Sequence, residues 1–229
     1  KPQDISGLFV RRESWAVAGL SMEMSAESRH TVFHEGVHWF LSTTNQIKPL
    51  WFEEGVAEVL ATFRIEKKQA EWGQPIEGHV DLLSESNALK LDQLISVQRE
   101  ELFRDDSLRT QLIYAKAWLF THFLFFAKYD FPREALSRYL ALMNEGVSPA
   151  EAFPRAFGRG FKEMDWLLED YLRGGTYYTA HRPLTEVEIP TVEPATKFEV
   201  GDALGRLAVV AGRHETAARH AREMIALAP

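Results

Sequence analysis

The sequence predicts an α+β fold that is predominantly helical, with a small β element near the N-terminus and a helical hairpin at the C-terminal end. Three observations predict it. Apolar residues recur at helical spacing through most of the chain, whereas β-branched and aromatic residues cluster around a charged turn only near the start. In a chain of 229 residues, 45% hydrophobic, there is enough apolar surface for one substantial core or for one core plus a small appendage.

Taken in order, Gly7–Arg11 and Trp15–Met22 read as a hairpin. Ser25 is a suitable N-cap, Glu27 falls in the first turn after it, and the helix they open runs to about Ser42. A polar loop, Thr43–Lys48, leads to a second helix that starts at Pro49. It turns Leu50, Val56, Val59, Leu60 and Phe63 toward a core and fades near Lys68. Between Gln69 and Asp106 the pattern is weak. Gly73, Pro75 and Gly78 suggest a loop, and Leu91–Val97 a short helix. Leu108–Lys128 is apolar on more than one side, which makes it the central helix. Arg133–Asn144, Pro149–Phe157 and Lys162–Leu172 follow as helices, and His181–Pro194, rich in Pro, Thr and Glu, reads as a linker or a wrapping strand. Phe198–Pro229 holds two helical patterns split at Gly212–Arg213. The expected organisation is therefore a domain over 1–180, a linker over 181–197 and a helix pair over 198–229.

Composition narrows the function. A net charge of −7 argues against a nucleic-acid surface, which needs clustered Lys and Arg. No apolar run is long enough to span a membrane; the stretch around Ala117–Ala127 is short and contains His122. Without cysteine there is neither a disulfide framework nor a thiolate metal site, and the compartment stays open. Lys1 is not an initiating Met and opens no signal-peptide pattern, so the chain is expected to be a processed product or an excised piece.

His34-Glu35-Gly36-Val37-His38 lies in the middle of the Ser25 helix. Imidazoles four residues apart share a helix face and can reach one Zn²⁺, while the offset Glu35 can meet a water beside it as a general base. His30 extends the histidine stripe by one turn, but it lies about 12 Å of rise from His38, too far to share an ion. Paired with His34 it would have Thr31 in the base position, so His34 and His38 are the expected ligands and His30 a supporting or solvated group. A third ligand must come from elsewhere, since Leu41 and Thr44 stand where a metzincin would carry Gly and His. The second helix offers Trp51-Phe52-Glu53-Glu54-Gly55-Val56-Ala57-Glu58. There Gly55 would let two helices gripping one ion approach closely. If Glu54 ligates, Glu58, one turn on, can accept the remaining N–H of a ligand imidazole, and Glu53 is left as a solvated carboxylate.

These two segments resemble the gluzincin superfamily, and particularly the bacterial peptidase-MA-like families, in which an HExxH helix is followed after a short loop by a Trp-x-x-Glu-Gly-x-Ala-Glu helix. Aminopeptidase-N-like enzymes share the second half as Asn-Glu-Gly-x-Ala, whose Glu is the third zinc ligand and matches Glu54; the loop from His38 to Glu54 is somewhat shorter here. A weaker likeness runs through Tyr114-Ala115-Lys116-Ala117-Trp118 and Ala150–Tyr171, so Ser6–Arg173 is covered, with specific motifs only in Thr31–Glu58. The resemblance implies a zincin-like catalytic domain that hydrolyses peptide or protein substrates with one zinc per chain. It implies a bacterial periplasmic or secreted location over a cytoplasmic one. It also implies that Tyr114, at the start of the central helix, donates a hydrogen bond to the oxyanion. His122, two turns on and on nearly the same face, is the alternative oxyanion or substrate contact.

Leu204, Gly205, Gly212, Ala217 and Pro229 fall at the spacing of a tetratricopeptide repeat. One repeat cannot bury its own face, so it either packs on the catalytic domain or begins a longer array that binds a protein partner. A plain helical hairpin is the simpler reading. Two rivals to the peptidase remain at this stage: a non-catalytic scaffold that keeps the zinc fold, and a zinc hydrolase of a non-peptide substrate.

Overall fold

The computed structural model describes residues 7–11, 16–20, 26–44, 48–86, 89–103, 107–128, 134–185, 191 and 193–227. Strands β1 (Gly7–Arg11) and β2 (Ala16–Leu20) precede helices α1 (Ala26–Ser42) and α2 (Leu50–Ala61). Strands β3 (Arg64–Glu66) and β4 (Gln69–Trp72) come next, then α3 (Glu77–Glu85), α4 (Leu91–Ser96) and a 3₁₀ turn at Arg99–Phe103. Helices α5 (Ser107–Phe126), α6 (Ala135–Asn144), α7 (Pro149–Phe157) and α8 (Phe161–Gly174) lead to strand β5 (Ala180–Pro183), and α9 (Lys197–Val210) and α10 (His214–Leu227) end the chain. The fold is predominantly helical with small antiparallel sheets, as expected. The proposed cap Ser25 and the charged turn of the hairpin lie outside the described residues.

The chain parts into two units, residues 36–184 and residues 1–35 with 185–229, and the division passes through α1, which is one unbroken helix. Within 36–184, α5 is the centre, because apolar residues cover it on every side. Ile113, Ala115, Ala117, Trp118, Leu119, Phe120 and Phe123 are all buried. Helix α2 lies along it, with the Trp51 and Phe120 rings 4.6 Å apart. Gly55 makes this approach possible, since a Cβ there would fall 2.1 Å from Thr121 Oγ1 and 2.4 Å from the Ala117 carbonyl oxygen. The close approach that the glycine allows is thus between α2 and the central helix, not between α2 and the histidine helix. Phe153 and Phe157 of α7 close the core around Phe120 and Tyr139. One charge is buried with its partner: Lys116 Nζ lies 2.9 Å from Asp165 Oδ1, and Asp165 also accepts from the Leu91 amide at the start of α4. That carboxylate therefore joins α5, α8 and α4.

Where the sequence suggests a helix fading near Lys68, α2 ends at Ala61 and a β3–β4 hairpin follows. Lys67 and Lys68 form its two-residue loop, both at positive φ (50° and 63°), as a primed turn requires. The segment expected to be a linker or wrapping strand contributes β5, which pairs with β4 in the register Gln69↔Pro183 to Trp72↔Ala180.

In the other unit β1 and β2 pair antiparallel from Gly7↔Leu20 to Arg11↔Ala16. Helices α9 and α10 pack on each other at small residues: a Cβ on Gly201 would sit 3.0 Å from Met224 Cγ, and one on Gly205 3.5 Å from His220 Cβ. Thr196 caps α9 in a capping box with Glu199. No described helix is long and apolar enough to cross a membrane.

Candidate metal centre

His34 and His38 stand one turn apart on α1, on the same face by helix geometry. From α2, Glu54 brings a carboxylate to them: one ligand atom from each of His34, His38 and Glu54 lies within 4.8 Å of the others. His38 Nε2 and Glu54 Oε2 are 3.2 Å apart. Zinc bonds of about 2.0–2.1 Å in a tetrahedron set ligand atoms roughly 3.3 Å from one another, so this contact matches one edge of such a site. The donor set also fits, since two imidazole nitrogens and one carboxylate oxygen are the ligands of a catalytic zinc with a position left open. Glu54 is only 3% exposed. A carboxylate so enclosed beside an imidazole needs a cation or a proton between them.

Glu53, half-buried, pairs with Arg99 and belongs to neither group of candidate ligand atoms. Glu35, between the two histidines in sequence, is half-buried on α1. His30 stands one turn before His34, their rings 6.3 Å apart. With His34 and Glu58 it makes a second group of ligand atoms within 4.8 Å of one another. Two facts favour the first group. Glu35 lies between its histidines where the second has Thr31, and the Glu58 carboxylate already accepts a hydrogen bond from His79 Nε2 at 3.1 Å.

His79 is the residue that the sequence does not reveal. It sits in the first turn of α3, inside the weakly patterned segment, and no spacing rule links it to a glutamate 21 positions earlier. Helix α3 packs on α5, and the His79 ring lies 5.9 Å from that of Trp118.

The two candidates on α5 have different fates. Tyr114 is half-buried in the second turn of the helix that packs along α2. His122 is fully enclosed and both its nitrogens are engaged: Nε2 donates to the Gly73 carbonyl oxygen at 2.9 Å, and Nδ1 accepts from the Tyr171 hydroxyl at 2.8 Å. Burial pushes its pKa down, against a smaller upward pull from the Gly73 bond, which favours the neutral ring. The expectation of His122 as an oxyanion or substrate contact is therefore corrected: it is a satisfied core group that ties α5 to α8 and to the loop after β4. Gly73 itself is held at φ +80° with Phe126 against its Cα, where a Cβ would meet the ring at 2.6 Å.

Compared with protein families, with curated proteins and with solved structures, the chain matches none.

Proposed function

We propose that this chain is a zinc-dependent hydrolase of peptide bonds, with one ion held by His34, His38 and Glu54 in a gluzincin-like domain. The observation that carries the reading is the meeting of those three ligand atoms within 4.8 Å, with Glu35 between the two histidines in sequence. Bound there, zinc would polarise the scissile carbonyl and lower the pKa of a water at its open position. Glu35 takes the proton of the attacking water and hands it to the leaving amine, the two tasks of a carboxylate general base. Tyr114 donates its phenolic hydrogen to the oxygen on which negative charge develops. A scaffold that only stores zinc has no need for a carboxylate in the place of Glu35, which favours an enzyme over a scaffold.

Two measurements test the proposal together. Elemental analysis of the purified chain should find about one zinc per molecule. A peptide-library digest should show cleavage that Glu35→Gln abolishes while zinc content persists, because an amide takes no proton at neutral pH. Equal behaviour of wild type and Glu35→Gln across the library would leave a scaffold, and cleavage of esters without peptides would leave another hydrolase. In the active enzyme Tyr114→Phe should lower kcat about 10²–10³-fold with KM and zinc content little changed. Unchanged kcat would remove Tyr114 from the mechanism.

A further inference from the structure

We infer that His79 is a positioning residue for the metal centre, acting through Glu58; the inference rests on the zinc reading above. Glu58 follows Glu54 by one turn of α2 and is 6% exposed, with a carboxylate oxygen within 4.8 Å of a His34 nitrogen. A carboxylate that serves a ligand imidazole must be held in one orientation, or it offers its lone pairs elsewhere. His79 supplies that hold by donating Nε2–H to Glu58 Oε2 at 3.1 Å, a charge-assisted bond. Its own aim is set by packed elements, since its ring lies against Trp118 of the central helix. Neither group of candidate ligand atoms includes His79. Its effect on the ion therefore passes through the carboxylate: His79 orients Glu58, and Glu58 fixes the tautomer and tilt of the His34 ring.

The test is zinc affinity of the full chain, measured by competition with a chromophoric chelator, with urea unfolding of the zinc-free protein as the folding control. His79→Phe should weaken zinc binding about 10–100-fold, the usual loss when a ligand's hydrogen-bonding partner is removed. His79→Gln, which keeps an N–H donor at similar reach, should recover most of that loss. Combining His79→Phe with Glu58→Gln should bind zinc no worse than Glu58→Gln alone, because the two residues act in series. If His79→Phe does not fold, His79→Asn, whose amide is too short to reach Glu58, takes its place. A fall in urea midpoint with wild-type zinc affinity would make His79 a packing residue and overturn the inference while leaving the zinc site intact. Additive losses would also overturn it. A wild-type chain that takes up no zinc overturns both this inference and the proposed function.

Discussion

Trp118 has an imidazole neighbour in each of two regions, His79 with its ring centroid 5.9 Å away and His122 at 5.4 Å, and the two regions are built on opposite plans. Around His122 every partner is neutral: a carbonyl, a hydroxyl and the rings of Phe126, Tyr171 and Tyr177. That environment rejects charge and answers both nitrogens, which is what a core histidine needs. Around His79 the partner is a carboxylate, and one turn away on α2 a second carboxylate faces His38. Gathering carboxylates and imidazoles in a part-buried place is costly unless a cation is shared among them. The difference teaches that a buried histidine marks a ligand site only through its partners, not through its burial.

The sharpest way to break this contrast is to remove a group from each region and read zinc affinity. His38→Ala or Glu54→Ala should cost more than the roughly 10–100-fold expected of an outer partner. His122→Leu should leave the affinity at its wild-type value. If Glu54→Ala keeps its zinc and Glu58→Ala loses it, the ion belongs to the His30, His34 and Glu58 group instead.

Stability should respond the other way. His122→Leu removes the bonds that the Gly73 carbonyl and the Tyr171 hydroxyl make to the ring, and a buried polar group that loses its bond costs about 1–3 kcal/mol. Urea unfolding of the zinc-free protein should show it, and an unchanged midpoint would mean that water or repacking replaces both bonds.

Gly55→Ala separates the two sides of α2, one bearing the candidate ligand Glu54 and the other packed on α5. Its new methyl would meet Thr121 and Ala117, a form of overpacking that typically costs about 1–3 kcal/mol. A variant as stable as wild type would show that α2 can shift off the central helix freely.

The smallest effect concerns pH. Because burial lowers the folded-state pKa of His122 below its ordinary value of 6.5, the unfolded chain binds a proton that the folded chain does not. This contribution to stability is whole above the unfolded pKa. It is lost as pH falls below about 6.5, by at most about 1.4 kcal/mol per pH unit. Zinc-free wild type should therefore lose stability between pH 6.5 and 5 more steeply than His122→Asn, which cannot titrate; equal slopes would mean the ring is charged in the folded state.

Local chemistry made much of this molecule legible in its sequence. The spacing of His34 and His38 places two imidazoles on one face of any helix that holds them, whatever surrounds it. The apolar character of residues 108–128 on several sides marked the central helix, and Pro149–Phe157 was legible as α7 with the same bounds. The β3–β4 hairpin was not legible, because Lys67-Lys68 carries none of the Asn or Gly chemistry that usually signals a primed turn. Strand β5 was only half legible, since its four residues have no apolar alternation of their own and become a strand by pairing with β4.

Within the candidate site the division follows the same line. Sequence by itself determined the histidine pair and the carboxylate between them, since those relations span a single helical turn. Which of Glu53, Glu54 and Glu58 meets the histidines was decided by the tertiary structure. So were the neighbour that Gly55 admits, the attachment of Glu58 to His79, and the enclosure of His122 by Gly73 and Tyr171. Each joins groups on different elements, and the distance between such groups is set by how helices pack, which no residue spacing along the chain encodes.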